Sequence, residues 1–412
     1  MGLDVGDSLA EAGDDRRRPS VVIGAPAQKI DADVDRLDLR PRLQRVVDGA
    51  EGGEFEQPGN RPAVEETGTA DHLFPERHDP EALAVALLGG EAKQFGIRGE
   101  GFQHRHRLSR AGCVCKAARQ AAWLRPMSES LFDAAAARLR AGDGVAAREL
   151  FRRAAAAGER RAAVIYTHLV GAGVGGPADW PRAVDLLRGL AASGRRSAVE
   201  LALVETMALR PDGSPLSVPA PEPLAERPRI LSFRGLFTPG ECRYLIDAAA
   251  PMLAAAVVID PVTGRQRPDP LRSAESVGFT PPLETLAVQA LNRRIAAASG
   301  TSFDQGEPLQ VLRYPTGGEY RPHCDAISGF ANQRVLTMLV WLNDGFEGGE
   351  TEFPEAGLAL RGAPGDAILF RNTGADGRRD PASAHAGLPV KAGEKWLASR
   401  WIRERPYVPP LP

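Results

Sequence analysis

Residues 309–342 read LQVLRYPTGGEYRPHCDAISGFANQRVLTMLVWL. Two apolar runs, LQVLRY (309–314) and VLTMLVWL (335–342), enclose a stretch rich in Gly, Pro and polar residues. Both runs are short and have the composition of strands. Working outward, DAILF (366–370) and KWLASRWI (395–402) repeat the pattern. The Gly-rich turns PTGG (315–318), EGGE (347–350) and GAPG (362–365) separate them. Upstream the period is helical. Thr238-Pro239-Gly240-Glu241 reads as a capping box with Pro at the first helical position. Leu283, Leu286, Ala287, Ala290, Leu291 and Ile295 then form one stripe that ends near Gly300. Two helices followed by many short strands predict an antiparallel sandwich or barrel with helices packed outside it.

The middle of the opening stretch carries the chemistry. His323 and Asp325 are two residues apart, and residues i and i+2 of a strand point to the same side. An imidazole and a carboxylate so placed can meet one ion. Cys324 between them points the other way and reads as a small packed side chain. A third ligand has to come from a distant strand. His385 is the one histidine further downstream, and the other five lie before residue 170. Two His and one carboxylate form the facial triad of non-haem Fe(II) oxygenases. Three ligands on one face leave three positions open, two for a 2-oxo acid and one for dioxygen. Lys395 adds to this reading. It shares a strand face with Leu397, Ser399 and Trp401, and a cation facing a barrel interior is costly unless paired. A bound dicarboxylate would supply the missing charge.

The rest of the chain divides by composition. Residues 1–126 have little periodicity, and the next methionine after Met1 is Met127. This extension is expected to be poorly ordered, or to come from a start codon called too early. Residues 127–210 read as helical. ARELFRRAAAAG (147–158) and AVDLLRGLAASG (183–194) are offset by 36 residues and identical at six of twelve positions. Each leads into a second amphipathic stretch. A period of about that length with two helices per unit marks a helical-repeat array similar to the tetratricopeptide-like repeats. Residues 211–228 hold six prolines and read as a linker. The fold class expected is therefore α+β and multidomain, with residues 229–412 as the sheet-rich domain.

Composition excludes several classes. Fifty-three acidic and 51 basic residues leave a net charge of −2, which removes the electrostatic case for nucleic-acid or anionic-membrane binding. No apolar run reaches the length of a spanning helix. The first 30 residues contain Asp4, Asp7, Glu11, Asp14 and Asp15 and lack an apolar h-region, which argues against a secretory leader. Four cysteines cannot build a disulfide framework, so a reducing cytoplasm is the expected location. His104, His106, Cys113 and Cys115 could supply four zinc ligands, but a C-x-C spacing departs from the usual pattern.

Five elements occur in order: Tyr314-x-x-Gly317-x-x-Tyr320-x-x-His323-x-Asp325, Arg334-x-x-Thr337, GGETEFP (348–354), HAGLPV (385–390) and KAGEKW (391–396). Together they resemble the prolyl 4-hydroxylase branch of the Fe(II)/2-oxoglutarate dioxygenases, over about residues 229–405. The resemblance implies a double-stranded β-helix, or jelly-roll barrel. It implies that His323, Asp325 and His385 hold Fe(II), that Lys395 pairs with the far carboxylate of 2-oxoglutarate, and that Tyr314 hydrogen-bonds it. Tyr320, Arg334, Glu307 and Trp401 fall where the family lines its substrate groove. Arg272 belongs to a partial match of the family's Arg-Thr-Ser stretch and is a further candidate for substrate binding. Leu397, Leu339 and Ile368 are candidates for an apolar wall. The implied activity is hydroxylation of a prolyl residue in a peptide or protein, with succinate and CO2 as co-products and ascorbate as a supporting cofactor. The repeats are expected to help recruit that partner. The eight-residue loop 326–333 is short for the family, which leaves the same chemistry on a free amino acid or other small molecule as a rival. A non-catalytic repeat-based adaptor is the second rival.

Overall fold

The alternation read along 309–402 is realised as two sheets packed face to face. The computed structural model describes residues 21–23, 130–259, 266–268 and 271–408. The reading of residues 1–126 and the zinc candidates His104, His106, Cys113 and Cys115 lie outside the described residues, apart from a short strand β1 (Val21–Ile23). The chain then forms five helices: α1 (Leu131–Arg140), α2 (Gly144–Ala156), α3 (Arg160–Ala172), α4 (Trp180–Ala191) and α5 (Arg195–Thr206). Side-chain caps open three of them. Ser130 accepts from Asp133 N, Asp143 from Ala146 N, and Asp179 from Arg182 N. The two similar stretches 147–158 and 183–194 fall on α2 and α4.

Strands β2 (Glu222–Glu226) and β3 (Arg229–Phe233) come next, then helix α6 (Pro239–Ala249), whose capping box at Thr238 and Glu241 is formed as read. The strands β4 (Ala254–Ala255), β5 (Val257–Ile259), β6 (Gln266–Pro268) and β7 (Glu275–Gly278) lead to helix α7 (Leu286–Ser299), closed by Gly300 in the left-handed region. The remaining strands are β8 (Gln310–Tyr314), β9 (Tyr320–His323), β10 (Arg334–Trp341), β11 (Phe346–Gly348), β12 (Thr351–Phe353), β13 (Leu358–Gly362), β14 (Ala367–Arg371), β15 (His385–Gly387), β16 (Val390–Gly393) and β17 (Lys395–Arg403).

The larger sheet runs β2-β3-β14-β10-β17-β8-β7-β4 and the smaller runs β1-β13-β12-β15-β9. Period-2 alternation gives the larger sheet two buried faces. Leu312, Leu339, Ile368 and Leu397 face inward and pack with Phe353 and Leu360 of the smaller sheet. Val311, Met338, Val340 and Ala398 face the other way, into a second core shared with the helices. That second core is continuous. Val170, Trp180, Leu187 and Val204 of α3–α5 belong to it together with Leu286 and Leu291 of α7.

The proline-rich stretch 211–228 is not wholly a linker. Glu222–Glu226 within it pair antiparallel with β3. Pro223 is tolerated because β2 lies at the edge of the sheet, where a missing N–H leaves no ladder bond unmade. Among the described residues no helix is long and apolar enough to cross a membrane.

Candidate metal centre and its cavity

His323 ends β9 and His385 begins β15, and the two residues are paired across the antiparallel ladder. Their rings are cross-strand neighbours with centroids 4.3 Å apart. Asp325 lies two residues beyond His323, in a bend past the strand, and its carboxylate reaches back to both rings. His323 Nε2 is 3.6 Å from Asp325 Oδ1, and His385 Nε2 is 3.8 Å from Oδ2. One ligand atom from each residue lies within 4.8 Å of the others. Among the described residues no other group of three His, Cys, Asp or Glu is so placed. The second nitrogen of each ring decides what the first can do. His323 Nδ1 is 2.8 Å from the carbonyl of Arg321, and His385 Nδ1 is 3.0 Å from that of Ser383. A carbonyl only accepts, so each Nδ1 carries the proton and each Nε2 keeps a lone pair aimed at the shared point. This donor set, N, N and O on one face, fits a non-haem Fe(II) ion. Burial, together with the neighbouring His385, pushes His323 down to about 4, so its ring is neutral at physiological pH. Burial acts to raise the pKa of Asp325, but the two imidazoles, a hydrogen bond from Thr337 and Arg334 outweigh it and hold the carboxyl below its usual range.

Both rings are clamped. Tyr320 stacks on His323 with centroids 3.5 Å apart, and Phe353 and Phe370 pack against His385 at 5.4 and 4.7 Å. The triad opens on a cavity whose walls include Lys395, Tyr314, Leu312, Leu339 and Leu397. Lys395 and Tyr314 face each other in the pairing of β17 with β8. Lys395 is buried, and its Nζ donates to the carbonyl of Gly349 at 2.7 Å. Burial lowers its pKa to about 8. The strand-face reading of Lys395, Leu397, Ser399 and Trp401 holds, since all four reach the cavity.

The other candidates separate. Tyr320, Trp401 and Arg272 are cavity walls, and the Arg272 guanidinium lies 5.0 Å from the Tyr320 ring centroid. Leu339 and Leu397 are also walls, whereas Ile368 packs in the barrel core. Glu307 and Arg334 stand behind the cavity rather than in its walls. The buried Glu307 carboxylate takes Arg334 Nε at 2.6 Å and Nη2 at 2.8 Å, and Arg403 Nε lies 2.6 Å away. Arg334 in turn covers Trp401, its guanidinium carbon 3.7 Å from the ring centroid. Cys324 is half-buried and is not a cavity wall.

The model of the 2OG-Fe(II) oxygenase superfamily matches residues 309–403 of this chain. Prolyl 4-hydroxylase 1 of Arabidopsis thaliana is 37% identical over 204 residues, which span 45% of this chain and 72% of that protein. The chain belongs to the prolyl 4-hydroxylase family. The prolyl 4-hydroxylase subunit alpha-1 of Rattus norvegicus is 33% identical over 193 residues, 44% of this chain and 35% of that one. Among solved structures, the 2-oxoglutarate complex of the viral collagen prolyl hydroxylase from Paramecium bursaria Chlorella virus-1 covers 42% of this chain and 95% of its own, at 27% identity and a TM-score of 0.34.

As a member of the prolyl 4-hydroxylase family, the protein is an Fe(II)- and 2-oxoglutarate-dependent dioxygenase. His323, Asp325 and His385 are the residues that would hold the iron. Other groups near the triad had no role assigned from sequence. Thr337 belongs to the Arg334-x-x-Thr337 motif, and its hydroxyl donates to Asp325 Oδ2 at 2.7 Å. Asn372 donates to that same hydroxyl oxygen at 2.8 Å. Leu312 and Thr351 are cavity walls. The period-2 face that holds Tyr314 also contains Leu312, so alternation alone was sufficient to find it.

Proposed function

We propose that this dioxygenase hydroxylates a prolyl residue within a peptide or protein. The observation that carries the reading is the placement of the His323–Asp325–His385 triad and the buried Lys395 in one cavity. When bound, iron and 2-oxoglutarate supply the oxidative chemistry, in which one atom of dioxygen enters the substrate C–H bond and the other enters succinate as CO2 leaves. The chain's residues bind and orient. Lys395 is the cation for the distal carboxylate of 2-oxoglutarate, with Tyr314 opposite it to donate a hydrogen bond. Leu312, Leu339 and Leu397 form an apolar wall that excludes water. Tyr320, Arg272 and Trp401, on the same cavity, hold the substrate beside the metal.

The test is succinate release from 2-oxoglutarate with Fe(II), oxygen and ascorbate, beside a mass shift of one oxygen in a proline-rich peptide. Wild-type protein should give both, and Asp325→Ala neither. Free proline should not be turned over, and turnover of free proline with none of peptide would transfer the reading to a small-molecule substrate. We further propose that α1–α5 contribute to holding a protein substrate, which paired helices in arrays commonly do. Support comes from the 36-residue repeat and from the core that α3, α4 and α5 share with the catalytic sheet. Charge reversal at the exposed Arg182 and Arg188 should then lower turnover of whole protein substrate and leave that of a short peptide unchanged.

A further inference from the structure

Asn372, Thr337 and Asp325 form a buried hydrogen-bonded chain behind the metal centre. Asn372 and Thr337 are completely buried, and neither is a wall of the cavity. The direction of every bond follows from one end. The ionised Asp325 carboxylate accepts only, so the single hydroxyl proton of Thr337 goes to Oδ2. Thr337 Oγ1 then has only lone pairs to offer, so Asn372 has to present its amide N–H to it. This orientation leaves Asn372 Oδ1 buried with no hydrogen-bond partner. An unmet buried acceptor destabilises the fold. The opposite amide orientation would place two acceptors against each other and break the chain to Asp325.

The main chain of Asn372 leads to the other side of the triad. Its carbonyl accepts from Asp380 N at 3.0 Å, and the carbonyl of Asp380 in turn accepts from Ser383 Oγ at 2.7 Å. The carbonyl of Ser383 is the group that accepts from His385 Nδ1. The amide of Asn372 donates to Val335 O at 2.9 Å, two residues before Thr337 on β10. One residue thus touches the supports of two ligands that are 60 positions apart in the chain, Asp325 in the bend after β9 and His385 at the start of β15.

We propose that Asn372 is a positioning residue of the metal centre: its side chain sets the Asp325 carboxylate through Thr337, and its main chain holds the Ser383 turn that aims the ring of His385. The inference rests on the reading of His323, Asp325 and His385 as metal ligands. Because the side chain acts only through the Thr337 hydroxyl, its contribution vanishes when that hydroxyl is absent.

The experiment is a Mn(II) titration of the full-length metal-free protein, read by electron paramagnetic resonance, for wild type, Asn372→Leu, Thr337→Val, Thr337→Ser and the Asn372→Leu/Thr337→Val double variant. Thermal melting of each metal-free protein reports the fold. Thr337→Val and Asn372→Leu should each weaken Mn(II) binding, by about 10- to 100-fold for a support of this kind. The double variant should bind no more weakly than Thr337→Val alone. Thr337→Ser, which keeps the hydroxyl, should restore binding. Asn372→Ser replaces Asn372→Leu if the latter does not fold. Equal Mn(II) affinity in a folded Asn372 variant, or additive losses in the double variant, would overturn the proposal. Failure of the wild type to bind Mn(II) would instead overturn the ligand reading itself.

Discussion

Lys395 stands opposite Tyr314 across the β17–β8 ladder, its Nζ 5.7 Å from the tyrosine ring centroid, in a cavity whose walls include Leu312, Leu339 and Leu397. Its ammonium keeps one hydrogen bond, to the carbonyl of Gly349, and a carbonyl dipole does not replace the water it has lost. Burial accordingly lowers its pKa to about 8. A cation held so close to neutrality is a waiting partner for an anion. The proposed anion is the distal carboxylate of 2-oxoglutarate.

The pH dependence of co-substrate binding follows. A lowered lysine pKa means that Lys395 is charged below about 8 and neutral above it. The dianion binds to the charged form, so its apparent Kd should be flat below that pH and rise about tenfold per unit above it. Lys395→Met should weaken binding about 10- to 100-fold at pH 7, the range of a lost charge-assisted hydrogen bond, and should remove the pH dependence. Calorimetric titration of 2-oxoglutarate at pH 6.5, 7.5, 8.5 and 9.5 measures both. A Kd that stays flat to pH 9.5 in the wild type would rule out Lys395 as the titrating partner.

Glu307 provides a second prediction. Its carboxylate neutralises Arg334 and lies beside Arg403, and all three side chains are largely shielded from water. Glu307→Gln keeps the shape and removes the charge, leaving two guanidinium groups uncompensated. Breaking a buried ion pair in this way costs about 3–5 kcal/mol, which should lower the Tm by on the order of 10 °C. Arg334 also covers Trp401, so the KM for peptide should rise as that wall loosens. An unchanged Tm would show that the cluster is hydrated and contributes little.

Much of the site was legible because its signals are local. The period of two placed Lys395, Leu397, Ser399 and Trp401 on one face, and His323 and Asp325 on one side, and the cavity contains all six. Asp325 reaches its place from a bend beyond the strand, so the i, i+2 argument held for a less regular backbone than the one it assumed. What was not legible depends on partners distant in sequence. Glu307 and Arg334 were groove candidates through the family resemblance, and nothing local reveals that, 27 positions apart, they are ion-paired. The role of Asn372 is set by Thr337, 35 residues earlier. The strand inside 211–228 was hidden by its prolines, which exclude a central strand but not an edge one.

The helices α3 and α5 are expected to unfold with the catalytic sheet rather than apart from it. Glu200 of α5 accepts from the backbone N–H of Leu286 at 2.6 Å, at the first turn of α7. Gln289 and Arg293 of α7 donate to the carbonyls of His168 and Gly171 of α3 at 2.9 and 2.8 Å. These bonds surround an apolar core that both parts share. At Gly171 a Cβ would stand 2.6 Å from the side-chain tips of Gln289 (Oε1) and Leu286 (Cδ2) on α7. Gly171→Ala should therefore displace these two buried side chains at a cost of about 1–3 kcal/mol. The whole protein should still melt in one transition, several degrees lower, with 2-oxoglutarate turnover lost at the same temperature as helicity. A fragment of residues 211–412 would expose Leu286, Leu291 and their neighbours to water and should be insoluble. Recovery of that fragment folded, with the melting temperature and peptide turnover of the full chain, would show instead that the helices are a separable appendage.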